Sequence, residues 1–559
     1  MVEKIFKFLN REFNGLHEAA FLLGGSAIAS QLLALARDRL LAATFGASRD
    51  LDIYYAAFRL PDLIYVSIGS LVSVTIILPF LIKHREGGDY VSSAKLINSL
   101  LTVFLLTMLV VTGLAFFLIP ILTPLLAPGF EPNAVATLIS LSRLLLLSPI
   151  LLGLSNLLGG VTQSLKRFAL YALSPVVYNI GIIIGIVWLA PRWGLKGLAV
   201  GVILGAVFHV LIQLPALARA KWWPHLTSRI AWKELAQIAL VALPRTIALS
   251  AQQLVIFVLV SLASLMAAGS IAVFNFAYNL QAVPLTVVGV SYSVAAFPTL
   301  IRSLVGGDRK AFVTQVSNAV RHIIFWSVPA TALFVVLRAQ VVRVVLGSGE
   351  FDWSDTRLTA AALALFIISA VAQSLILLFV RAYYAAGQTK KPLVINLFSA
   401  LVTVALAIGL HFALRFFPTF DSTLGQELRV AEVAGRELLA LPLAFSLGSW
   451  LNFGLFVYFF RRDFGDLISI RRVVSEVVLA SVAIGVMAYT ALQFLARVFD
   501  LDTFSGIFLQ GLIAGLLGIG AGVAVLHWLG NHEILEFKRS LTKRLWREVK
   551  TVMPEPTEL

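Results

Sequence analysis

Three ionisable residues in a row, Arg37, Asp38 and Arg39, interrupt an apolar run that reads SAIASQLLALARDRLLAATFG from Ser26. A short turn, ASRDLD, leads to a second run, IYYAAFRLPDLIYVSIGSLVSVTIILPF, which carries Arg59 and Asp62. Ionisable groups inside apolar spans are costly, so they face a partner or a water-filled space. At about 100° per residue, Ser26, Ser30 and Arg37 share one helix face, a small polar stripe ending in a guanidinium. Two kinds of chemistry fit. One is a buried structural pair, Arg37–Asp52 or Arg59–Asp38. The other is a cationic site for an anionic substrate, since guanidinium groups grip phosphate or pyrophosphate as planar forks.

Further candidates lie downstream. In ALPRTIALSAQQLVIF, Arg245 and Gln252 are seven apart and share a face just after Pro244. Asn275, Tyr278 and Asn279 stand at i, i+3 and i+4 in the next span, ahead of Pro284. Such polar faces serve either as hydrogen-bonding contacts between helices or as substrate contacts. Pro61, Pro244 and Pro284 remove helix hydrogen bonds and permit bending, which a carrier needs; a static kink is the alternative for each. The sequence has no P-loop, no G-x-S-x-G and no H-E-x-x-H, and it has no cysteine, so neither catalysis nor a resident metal or cofactor is expected. A transporter without an ATP site draws on membrane potential, on a monovalent cation or on the substrate's own gradient.

The elements that must hold these residues follow from composition. Of 559 residues, 59% are hydrophobic and only 13% charged, with a mean hydropathy of +0.91. That describes an all-α polytopic membrane protein rather than a soluble globule. Runs long enough to cross a hydrocarbon layer of ~30 Å number about fourteen, beginning with 19–46 and 53–82. The net charge of +15 suggests nucleic acid until its placement is considered. Of the 44 Lys and Arg residues, 28 fall at alternate span ends, including Lys83, Lys166, Lys390, Lys391 and Arg461. That alternation puts both termini in the cytoplasm and removes nucleic acid as a partner.

A weak repeat with a period near 220 residues divides the chain. AFRLPDL at 57–63 echoes AYNLQAVP at 277–284, and LAPGFEPN at 126–133 echoes LGSGEFDWSD at 346–355. Two six-helix lobes, 19–218 and 234–460, are expected, related by a pseudo-twofold along the membrane normal, with the substrate site between them. Helices at 472–528 form an added pair. Residues 1–18 read as a cytoplasmic amphipathic lead and 415–436 as a polar external insertion with a short amphipathic helix. The basic tail, 529–559, suits anionic lipids, with a solvated tail as the alternative.

With these motifs assembled, the chain resembles the MurJ (MviN) family of lipid II flippases, within the multidrug/oligosaccharidyl-lipid/polysaccharide exporter superfamily. The resemblance rests on LALARDRLLAATFGASRDLDIYYAAFRLPDL, LAPGF, KRFALYALSPVVYN, AAGSIAVFNFAYNL, G-E-F at 349–351 and RAYYAAGQTKKP. It implies export of undecaprenyl-pyrophosphate-linked disaccharide-pentapeptide across a bacterial inner membrane by alternating access, without a cofactor, by a monomer. It also implies that Arg37, Asp38 and Asp52 match family positions. The family pattern has arginine where this chain has Gln31, Tyr65 and Asn279, so Arg59 and Arg245 are expected to supply the missing charge. Together with Ser30 and Gln252 these line the expected cavity, while Asp38, Asp52, Asp62 and the prolines support it. Export of another lipid-linked oligosaccharide, or less plausibly cation-coupled drug antiport, are the competing functions.

Overall fold

The computed structural model describes residues 16–69, 90–165, 167–219, 223–468 and 470–536. Among these there is helix and no strand. The chain opens with α1 (Leu16–Phe45), α2 (Arg49–Ala57) and α3 (Arg59–Ile64), followed by a π-helical turn over Tyr65–Gly69. Next come α4 (Tyr90–Leu126), α5 (Pro132–Leu145), α6 (Leu147–Ser164), α7 (Phe168–Ile184) and α8 (Ala190–Trp193). They are followed by α9 (Leu195–Leu211), α10 (Leu214–Arg219), α11 (Trp232–Ser264) and α12 (Ser270–Pro284). Then α13 (Ser291–Val305), α14 (Arg309–Val336), α15 (Arg338–Leu346), α16 (Trp353–Ala385) and α17 (Lys390–Phe416). The chain closes with α18 (Pro418–Glu427), α19 (Ala440–Phe464), α20 (Ile470–Leu495) and α21 (Phe504–Trp528).

Twelve helical stretches among the described residues are long and apolar enough to cross a membrane, and they coincide with the last twelve of the fourteen expected spans. The first expected span is α1, which carries the Arg37–Asp38–Arg39 run. The second is broken: Pro61 has no amide hydrogen to donate, and the helix is interrupted at Phe58 before its π-helical turn. Residues 70–82 of that span, the 1–15 part of the amphipathic lead, Lys166 and the 537–559 part of the tail lie outside the described residues.

The repeat has a structural counterpart. Of the three π-helical turns among the described residues, Tyr65–Gly69, Gly185–Leu189 and Leu285–Val290, the first and the last begin 220 residues apart, and the last follows Pro284. The same spacing separates Gly129 from Gly349, each in the loop ahead of a long helix. Both glycines sit where backbone passes too close for a side chain: a Cβ on Gly129 would meet Ser264 and Leu265, and one on Gly349 would meet Ala43.

The chain forms two compact units. The first comprises residues 1–283, 341–369 and 387–456. Its core includes Leu96, Ile97, Phe104, Met108, Leu157 and Val161 from α4 and α6. Within it α7 and α9 approach through glycines: a Cβ on Gly185 would stand 2.6 Å from Gly201 Cα, and one on Gly181 would strike Gly205. Small residues at four-residue spacing let membrane helices touch backbone to backbone, where van der Waals packing replaces the hydrophobic effect. The second unit, 284–340, 370–386 and 457–559, holds an aromatic cluster. There Phe379 packs on Phe460 and Phe312 on Phe464, at ring separations of 5.2 and 5.1 Å. Tyr383 donates its hydroxyl hydrogen to Asp463 at 3.0 Å.

Candidate functional site

The first unit gathers the ionisable residues of the opening spans. Arg37 donates from Nε and Nη2 to one carboxylate oxygen of Asp38, at 3.0 and 2.7 Å, and from Nη1 to Asn179 Oδ1 at 3.3 Å. Asn179 on α7 donates in turn to Ser30 Oγ at 3.4 Å and to the Pro175 carbonyl at 3.0 Å. The second carboxylate oxygen of Asp38 accepts from Asn279 Nδ2 at 3.0 Å. One chain of hydrogen bonds therefore runs from Ser30 through Asn179, Arg37 and Asp38 to Asn279, joining α1, α7 and α12. The Asp38 side chain is 4% exposed and that of Arg37 21%, so the carboxylate is dry and the arginine only partly covered.

Arg59 makes a separate link. Its Nη2 donates to Asn275 Oδ1 at 2.5 Å, and Asn275 anchors itself on the Ile271 carbonyl at 2.7 Å. Arg59 Nε is buried without a hydrogen-bond partner. Asp62, one turn further along, is the carboxylate whose charge acts on Arg59. Neither structural pair considered from sequence is formed, because Asp38 is committed to Arg37 and Asp52 is committed elsewhere.

Asp52 is 1% exposed and caps the start of α12, accepting from Gly269 N at 2.7 Å and Ala272 N at 2.9 Å. Those amides are orphans of a helix N-terminus, where a carboxylate is favoured by both hydrogen bonding and the helix dipole. Arg49 approaches the same carboxylate at 3.7 Å and lies over the Phe130 ring. A reciprocal set surrounds the α1–α2 turn. Asp355 accepts from Ala47 N at 3.1 Å, Glu350 N donates to the Ala43 carbonyl at 3.0 Å, and Arg39 donates to the Val344 carbonyl at 2.6 Å. Arg39 thus belongs to this end of the bundle.

The remaining expected residues are dispersed. Tyr65 accepts at its hydroxyl from Asn156 Nδ2 at 2.8 Å, so the site opposite α6 is neutral and hydrogen-bonded. Arg245 and Pro244 are half-buried on α11 and Gln252 is exposed, while Ser250 between them meets Ser67 Oγ at 2.9 Å. Gln31 is half-buried, Pro61 is buried, and Pro284 closes α12. Sequence reasoning assigned no role to Asn179, Asn156, Glu350 or Asp355. Asn179 and Asn156 were detectable as amides in apolar spans; the other two acquire meaning only from their partners.

Arg37 stands against the carboxylate of Asp38 and Arg59 within the field of Asp62, two guanidinium groups for two carboxylates. Among the described residues no cluster of His, Asp and Glu could hold a metal.

A family model described as lipid II flippase MurJ matches residues 41–510. The chain belongs to the MurJ family. A probable lipid II flippase MurJ of Rhizobium tropici is 25% identical over 485 residues, covering 84% of this chain and 85% of that protein. One from Thermotoga maritima is 26% identical over 467 residues, covering 78% and 94%. Among solved structures, a lipid II flippase MurJ in an inward closed conformation superposes with a TM-score of 0.72 at 20% identity, covering 91% of this chain and 99% of that one. An inward-facing MATE family transporter of the MOP superfamily follows at 0.62 and 15% identity, covering 79% and 96%. The fold is therefore the one shared by MurJ and MATE transporters, and the chain is an integral inner-membrane protein.

Proposed function

We propose that this protein translocates lipid II, the undecaprenyl-pyrophosphate-linked disaccharide-pentapeptide, from the cytoplasmic to the outer leaflet during peptidoglycan synthesis. Membership of the MurJ family carries the reading, and the Arg37–Asp38–Asn179–Asn279 network supports it chemically. A pyrophosphate reaching Arg37 competes with Asp38 for the same guanidinium. Asn279 and Asn179 keep the released carboxylate and the guanidinium in place, so the exchange costs little reorganisation. Arg59, linked to α12 rather than to a carboxylate, offers a second positive centre.

In this reading Pro61 and Pro284, ahead of the π-helical turns at Tyr65–Gly69 and Leu285–Val290, are the points at which the spans bend during alternating access. Asp52 and Asp355 hold the end carrying the α1–α2 turn closed. With both termini cytoplasmic, that end faces outward. Membrane potential or a monovalent cation supplies the drive, no cofactor takes part, the protein works as a monomer, and the basic tail rests on anionic lipid.

The test is rescue of cells depleted of their own flippase, combined with binding of purified protein to lipid II. Wild type restores growth and binds lipid II in preference to undecaprenyl phosphate, and Arg37→Ala abolishes both. A well-inserted wild-type protein that neither rescues nor prefers lipid II overturns the reading. The neutral residues at Gln31, Tyr65 and Asn279 favour a second reading, a different lipid-linked oligosaccharide, which selective binding of such a lipid would establish.

A further inference from the structure

The external insertion has a side that none of the described residues covers. The side chains of Phe416, Phe417 and Phe420 are 68, 61 and 37% exposed, and Phe412, 50% exposed, stacks on Phe416 at 6.1 Å. Four exposed phenylalanines in nine residues form an apolar patch of the kind that marks an interaction surface.

The helix that leads to them indicates the partner. On α17, Leu397, Leu401, Ile408, Phe412 and Phe416 are all exposed and recur at four- or seven-residue spacing, an unbroken lipid-facing stripe. Lys390 and Lys391 begin this helix. At 1.5 Å per residue the ~30 Å hydrocarbon layer is crossed near residue 411, so Phe412–Phe420 fall at the far headgroup boundary.

The next helix has three sides. Phe417, Phe420, Leu424 and Leu428 share one arc; Ser422, Thr423, Gln426 and Glu427 occupy another. The third is tied to protein: Arg436 Nε and Nη2 hold Asp421 at 2.8 and 2.5 Å, and buried Gly425 packs against Ala431. Arg357 donates to the Arg429 carbonyl at 2.6 Å, fixing the far end of the insertion on α16. A rigidly held helix with its apolar arc continuous with the lipid-facing stripe fits an interfacial helix.

We propose that α18 lies in the lipid headgroup boundary at the end of α17 opposite Lys390 and Lys391, with Phe417 and Phe420 inserted among the acyl chains. The insertion is then a membrane anchor that fixes the α17–α19 connection at the bilayer surface. Continuity with the stripe argues against a protein occupant, whose face would have to stand in the lipid.

The absence of cysteine allows a direct measurement. Phe417→Cys, Phe420→Cys and Gln426→Cys would each carry a single nitroxide, read by paramagnetic resonance in vesicles of phosphatidylethanolamine and phosphatidylglycerol. At 417 and 420 the label is expected to collide more with oxygen than with an aqueous nickel chelate, and at 426 the order reverses. Equal access of the nickel chelate to all three positions, or exclusion of both reagents at 417 and 420, overturns the proposal.

Discussion

Asn279 Nδ2 donates to Asp38 Oδ2 at 3.0 Å while Arg37 holds the opposite carboxylate oxygen. The carboxylate is thus clamped from both sides, by its own helix and by α12. A buried carboxylate tolerates loss of one neutral donor far better than arrival of a second charge.

Replacing Asn279 by alanine should therefore cost about 1.5–3 kcal/mol, the range for hydrogen bonds to charged groups. Asn279→Asp places like charges about 3 Å apart in low dielectric and should be the more damaging change. Thermal unfolding of purified protein, followed by tryptophan fluorescence, checks the order; equal losses would show that charge at this position is solvated.

Arg59→Gln should weaken lipid II binding by about tenfold or more, equivalent to about 1.4 kcal/mol or more. Arg59→Lys should recover only part of it, because an ammonium cannot reproduce the planar fork toward Asn275 and an anion together. Equilibrium binding to lipid II decides. Unchanged affinity in Arg59→Gln would make Arg59 a structural link alone.

Asp52→Ala should release the start of α12. Loss of an N-terminal cap costs about 0.5–2 kcal/mol. Amide exchange at Gly269 and Ala272, the two donors to Asp52, should accelerate several-fold while the core of α6 is unaffected. Asp52→Asn, keeping one acceptor oxygen, should fall between the two. Asp355→Ala should likewise expose the amide of Ala47.

Gly185→Ala should destabilise the α7–α9 pair, since backbone at Gly201 leaves no room for a methyl group. The clash, about 1–3 kcal/mol for overpacking, outweighs the gain of about 1 kcal/mol from alanine's helix propensity. Gly409→Ala on α17, which meets nothing within 4 Å, retains only the propensity gain and should leave stability level or slightly higher. Comparing the two variants' unfolding temperatures separates packing from propensity.

Hydropathy, charge placement and the repeat were sufficient to specify a membrane bundle, because a hydrocarbon layer imposes length and apolarity on every span and each run can be read by itself. The same logic singled out Arg37, Asp38, Arg59 and Asn279, since polar groups in such runs are few. Their partners were not legible. Asp38 turns to Arg37 beside it and to Asn279, 241 residues away. Asp52 turns to amides of α12, and Arg59 to an amide oxygen rather than a carboxylate. Residue type records what a side chain can bond; only the packing of α1, α7 and α12 determines which group stands within hydrogen-bonding distance of it, and therefore which charges are neutralised.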